Sequence, residues 1–204
     1  AQANWWNLLQ QGLSTGTPVK GDLIVDGVVY QDIGLRVKGA SSSSFPGVKK
    51  PFNLEMDAFV AGQNLYGSTT LNLNNGALDP TLTRETISYR IFRDYLPSPQ
   101  AAYCRVHLNG TYWGCYILVE QPNKAMLRRW FRDEDGGRYK GDRPSGAAVG
   151  TSPLTWLGTS VSNYQSRYEI KTPTHPNAWT DLIGMIDRLN NAPTSTFKAE
   201  IEQL

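Results

Sequence analysis

Apolar and polar positions alternate through much of the first 120 residues, with few long apolar blocks. Ile33, Leu35 and Val37 are interleaved with Gly34, Arg36 and Lys38, and Phe52, Leu54 and Met56 with Asn53 and Glu55. A period of two marks strands with one buried face. The pattern predicts strands near 22–26, 29–38, 50–57 and 68–73, the first two joined at Asp26-Gly27. Asn109-Gly110 predicts a tight hairpin between 101–108 and 112–120. Helical spacing appears from Trp5 to Leu13, from Asp79 to about Tyr95, at 123–131, at 177–190 and from Thr196 onward.

The second of these helices is the most informative. Asp79 reads as its cap and Pro80 as its first residue, and Pro97 and Pro99 end it. Ile87, Ile91 and Tyr95 form one apolar row, widened by Leu82, Tyr89, Phe92 and Leu96. Glu85 shares the row of Tyr89 and Phe92, and Arg84 that of Ile87. Both charges therefore fall on the inward half, where each needs a partner. Further on, a strand near 138–141, a loop at 143–162 and a strand at 167–171 are expected. The 177–190 helix carries Trp179, Leu182, Ile183, Ile186 and Leu189 on one face. The final apolar positions Phe197, Ile201 and Leu204 run to the last residue without a cap, as if the architecture were cut short.

Composition narrows the function classes. The chain has 204 residues, 40% hydrophobic and 19% charged, enough for one large domain or two small ones. A net charge of +2 argues for neither nucleic acid nor an anionic membrane as partner. No apolar run approaches the ~20 residues of a membrane-spanning helix. With a two-residue hairpin turn, Cys104 falls opposite Cys115, so either a disulfide or two free buried thiols is compatible with the pattern. A bond would imply an oxidising compartment. The sequence has no G-x-S-x-G elbow, no phosphate loop ending in Gly-Lys-Ser/Thr and no zinc spacing around its two histidines, His107 and His175.

Candidate chemistry gathers around residues 36–55. Lys50 points the same way as Phe52, Leu54 and Met56. The run Ser41 to Ser44 offers hydroxyls and backbone N–H groups that either hold an anion such as a nucleotide phosphate or form an ordinary polar turn. An antiparallel sheet of about five strands with one inserted helix matches the order of a protein-kinase small lobe, in which a strand lysine pairs with a helix glutamate. Lys50 and Glu85 fit that pair. A purely structural salt bridge from Glu85 to Arg84, Arg90 or a nearby lysine is the plainer reading.

The chain resembles the CotH kinase family, named for a spore-coat protein. The matching stretches are Gly27 to Val29, Ile33 to Ser42, Lys49 to Leu54, Leu71 to Asn75, Arg84-Glu85, Leu108 to Tyr116, Val119-Glu120 and Tyr139-Lys140. The resemblance implies an α+β fold: a kinase-like lobe at 1–120, then the hinge and the helical start of an incomplete second lobe at 121–204. It also implies use of ATP with magnesium or another divalent cation. The expected acceptors are Ser/Thr of secreted, coat or surface proteins, outside the cell. Carried over by position, Lys38, Ser41, Ser42, Ser43 and Lys50 would lie against the phosphates. Lys50, rather than Lys38, would be the main phosphate lysine and would pair with Glu85 as the catalytic residues, and Glu120 would belong to a hinge facing adenine. The family's catalytic and metal-binding aspartates have no match here, so no metal ligand is assigned and the chain alone is expected to be inactive. The alternative is a non-catalytic extracellular coat, adhesion or polysaccharide-associated module, in which Trp5, Trp6, Tyr112, Trp113 and Trp156 would stack on sugars rather than fill a core. Asn109-Gly110-Thr111 reads either as a glycosylation acceptor or, sufficiently, as the hairpin turn.

Overall fold

The computed structural model describes residues 4–39, 42–132, 135–141, 152–172 and 174–203. The chain divides into two compact units, Ala1–Arg132 and Asp133–Leu204.

In the first unit, helix α1 (Trp5–Thr15) precedes strands β1 (Val19–Val25), β2 (Val28–Val37), β3 (Phe52–Glu55) and β4 (Thr70–Asn74). Helix α2 (Arg84–Phe92), the hairpin of β5 (Ala101–Leu108) and β6 (Thr111–Glu120), and α3 (Lys124–Trp130) follow. All pairings are antiparallel, in the order β1-β2-β3-β4-β6-β5. The α+β class and the helix inserted before the last hairpin agree with the sequence. The sheet has six strands against the about five of the kinase-like order, all six lying near predicted runs; the edge strand β1 pairs with β2, with a register shift between Gly21 and Leu23.

Strand alternation sorts the two sheet faces. Ile33, Val37, Phe52, Leu54, Met56, Leu71, Leu73 and Tyr116 point to one side, where they bury apolar surface with Leu9 of α1 and with Trp5, Trp6 and Trp113. Arg36, Asn53, Asn72 and Asn74 point to the other, and α2 packs there: Asn74 bonds Glu85, and the Thr86 and Tyr103 hydroxyls meet at 2.8 Å.

That placement inverts the expected helix. Ile87, Ile91 and Tyr95 are 54%, 51% and 83% exposed, whereas Glu85, Thr86 and Tyr89 turn toward the sheet. On that face α2 meets the Asn74 amide and the Tyr103 hydroxyl, so polar groups of the helix turn toward it, although the face also carries the buried Ile117 and Val119 opposite Asn74 and Asn72. The helix is also shorter than expected. The Asp79 carboxylate accepts from the Thr81 hydroxyl and from the backbone N–H groups of Thr81 and Arg84, which holds its pKa below the usual carboxylate range. This builds a turn, with Leu82 at φ +57°, where the first helical turn was expected.

The hairpin carries a bulge. Its register slips between Val106 and His107, which oppose Gly114 and Tyr112 and leave Trp113 without a partner. Gly114 takes φ +142° there. One extra residue reverses the faces beyond it, so Cys104 opposes Tyr116 and Arg105 opposes Cys115. The expected Cys104–Cys115 juxtaposition is therefore not formed, and both thiols are free.

The second unit contains the two-stranded pair β7 (Tyr139–Gly141) and β8 (Tyr168–Ile170), with α4 (Ser162–Gln165), α5 (Ala178–Asn191) and α6 (Phe197–Ile201). Its core joins Tyr164 and Tyr168 to Leu182, Ile183 and Ile186 along the predicted face of α5. The Tyr164 hydroxyl accepts from the Leu157 N–H at 2.8 Å and donates to the Gly158 carbonyl at 3.0 Å. Among the described residues no helix is long and apolar enough to cross a membrane.

Candidate functional site

The polar face of the sheet holds a connected group of side chains. Lys38, one residue past β2, donates from Nζ to Asn72 Oδ1 on β4 at 2.8 Å. Asn53 on β3 donates to the same oxygen at 3.2 Å and to the Leu71 carbonyl at 3.3 Å. Asn72 Nδ2 donates to Gln121 Oε1 at 2.8 Å, and Asn74 Nδ2 to Glu85 Oε1 at 2.6 Å. Next to them Arg36 bonds Glu55 at 2.7 Å.

The Lys38 amine lies at about 8, lowered chiefly by burial and further by Arg36, against the raising effect of Glu85. Burial raises the Glu85 carboxyl, against the opposing effects of the Asn74 bond and the Lys38 charge. Lys38 is thus the lysine whose charge acts on the helix glutamate. A cation half removed from water gains most from an incoming anion.

Lys50 takes a different place. Its amine donates to the Phe45 carbonyl at 2.5 Å, so the expected Lys50–Glu85 pair is not formed. The reason is strand parity. Lys50 has the phase of Phe52 and Leu54, on the apolar face, while Glu85 sits over Asn74 on the opposite face. The loop around Lys50 is stapled down by its carbonyls: Val48 accepts from Trp113 Nε1 at 3.2 Å, Lys49 from Asn75 at 2.8 Å, and Lys50 from the Tyr116 hydroxyl at 2.9 Å.

The serine turn closes on itself. Ser43 is buried and donates its hydroxyl to the Gly39 carbonyl. Gly39 has φ +93°, and a β-carbon there would collide with Ser42 Oγ. Ser41 lies outside the described residues. Glu120 is buried on the apolar-face side, beside Leu71 and Leu118. Its carboxylate takes two bonds from Arg129, at 2.7 and 2.5 Å, and one from the Gln100 N–H at 3.1 Å. With Arg93, Leu65 and Ala102 it lines a cavity of about 450 Å³. That carboxylate is committed to Arg129, and it is on the other side of the sheet from Lys38.

Sequence reasoning missed Asn53, Asn72, Asn74 and Gln121. A signal was present: asparagine is disfavoured in strands, yet three fall on one face of β3 and β4. Among the described residues no group of three or more His, Cys, Asp or Glu could hold a metal ion. The donors present suit an anion: Lys38 fits a phosphate, whereas a divalent cation finds no carboxylate cluster. Trp5, Trp6 and Trp113 meet one another edge-on or tilted, with ring centres 5.5 to 5.8 Å apart, and pack against the core, which accounts for three of the aromatics considered for sugar stacking.

Residues 35–204 match the CotH kinase protein family. The chain belongs to the CotH kinase family. No curated protein matches it. The matched stretch includes every element of the polar group, from Lys38 to Gln121.

Proposed function

We propose that this chain carries the nucleotide-binding part of a CotH-family kinase, with Lys38 as the phosphate-facing lysine and Glu85 as the helix carboxylate that supports its charge. The observation that carries the reading is the half-buried Lys38 amine, aimed by Asn72 on the sheet face covered by the glutamate-bearing helix. The wider reading is transfer of phosphate from ATP to Ser/Thr of secreted, coat or surface proteins, outside the cell, with family membership as its support.

The chain's own residues contribute binding and orientation. Lys38 places positive charge on the phosphates, and a bound polyanion keeps the amine protonated at neutral pH against its burial. Glu85 keeps that charge supported and fastens α2 to β4 through Asn74. ATP with its divalent cation supplies the transferable phosphoryl group, and carboxylates to hold the cation are not found among the described residues.

Calorimetry with ATP and magnesium tests the assignment. Lys38→Ala is expected to abolish the binding heat, and Lys50→Ala to retain it. Equal heats for wild type and Lys38→Ala would remove Lys38 from the site.

A further inference from the structure

We infer that Asn72 is a positioning residue for Lys38, and that Gln121, just past the end of β6, sets the orientation of that asparagine. The inference rests on the assignment of Lys38 to the phosphates.

An asparagine side chain has an acceptor end and a donor end, and Asn72, only 5% exposed, uses each on a different element. Oδ1 accepts from Lys38 Nζ at 2.8 Å and from Asn53 Nδ2 at 3.2 Å, while Nδ2 donates to Gln121 Oε1 at 2.8 Å. Rotating the amide by half a turn would set its NH2 against an ammonium and a second NH2, and its oxygen against the Gln121 oxygen. The contacts to Lys38 and Asn53 would become repulsive together, and the third would hold only if Gln121 turned over as well.

Asn53 cannot relieve that clash by turning over. Its Nδ2 also donates to the Leu71 carbonyl at 3.3 Å, which fixes its orientation and leaves its own Oδ1 buried without a partner. A buried orphan acceptor is costly, and the network tolerates it in the only arrangement that gives Lys38 an acceptor. The Gln121 oxygen is thus part of what holds the Lys38 amine in one place before any ligand arrives. A pre-aimed lysine loses less side-chain freedom on binding. Withdrawal of Gln121 would release Asn72 and, through it, Lys38.

The test uses the 204-residue chain and two readouts, the titration midpoint of the Lys38 side-chain carbon signal and the affinity for ATP with magnesium. The charged groups facing Lys38 are Glu85 from α2 and Arg36 from β2, with Glu55 of β3 already engaged by Arg36. Gln121→Ala leaves these in place. It is expected to lower the Lys38 midpoint, because a lost acceptor disfavours the charged amine. It should also weaken ATP binding about three- to tenfold, the range of one hydrogen bond. Gln121→Glu, which keeps the acceptor, holds the midpoint at or above the wild-type value. An unchanged midpoint and affinity in Gln121→Ala, with Lys38→Ala still losing ATP, overturns the relay and spares the site. If Lys38→Ala binds ATP like wild type, the phosphate assignment fails, and the midpoint in Gln121→Ala still decides whether Gln121 acts on Lys38.

Discussion

Asn74 Nδ2 donates to Glu85 Oε1 at 2.6 Å, so the carboxylate of the inserted helix is fastened to a strand amide while it acts on Lys38 through space. The charge of Glu85 raises the Lys38 amine against burial and Arg36. Replacing Glu85 with Ala should therefore move the Lys38 midpoint below its value of about 8. It also leaves the Asn74 amide without its acceptor. A carbon-detected titration of the lysine side chains reads the effect, and a midpoint that stays or rises contradicts this account of the pair.

Lys38 also gives stability a defined pH dependence. Its folded value is about 8 against an ordinary 10.5, so the folded chain releases this proton more readily than the unfolded one. Below about pH 8 both states hold the proton and the folded state carries the full penalty of a buried charge. Between about 8 and 10.5 the unfolded state binds more protons, and stability from this group rises with pH. Relative to Lys38→Met, which never carries the charge, wild type should gain stability across that window. Urea midpoints of both proteins at pH 7 and pH 10 measure it, and a difference that is flat or opposite in sign refutes it.

Removing the guanidinium of Arg129 should destabilise the first unit. Glu120 is buried, and without Arg129 its carboxylate keeps only the Gln100 N–H. Stranding one member of a buried pair costs about 3–5 kcal/mol. Because the Arg129 side chain is 38% exposed, water partly compensates, and about 1–3 kcal/mol is expected for Arg129→Ala. The double variant Arg129→Ala with Glu120→Gln should recover part of that loss. Chemical denaturation checks both, and a double variant less stable than Arg129→Ala would show that the pair is not the cause.

These features were unequally legible in the sequence. The period-two runs placed β2, β3 and the hairpin correctly, and the 3.6-residue spacing of Leu182, Ile183 and Ile186 gave the buried stripe of α5, because one-sided burial imposes those periods. That Glu85 turns inward was also readable. Its partner was not. Alternation tells which residues share a face, but it does not tell which face a later helix will cover, and α2 chose the asparagine side. Ile87 and Ile91 were consequently assigned to the wrong side of their own helix. The serine turn was open in the sequence between an anion site and an ordinary turn, and the hydroxyl bond that Ser43 makes there is local, to the Gly39 carbonyl.

The cysteines show how a single residue can overturn a register argument, and they give the last prediction. Counting outward from Asn109-Gly110 sets Cys104 opposite Cys115 only if the hairpin is regular. The extra residue Trp113 shifts the count by one, and each cysteine then points to its own side of the sheet. A disulfide needs β-carbons about 3.5–4.5 Å apart with converging directions, which opposite faces do not provide. Alkylation of the unfolded, unreduced chain should therefore add two labels, and a reducing agent should leave the melting temperature unchanged. In the folded chain Cys104 should react slowly, since burial and the neighbouring Cys115 push its thiol up to about 11 and leave little thiolate at neutral pH. An intact mass two hydrogens short, with no label taken up before reduction, would show that the bulge at Trp113 is wrong.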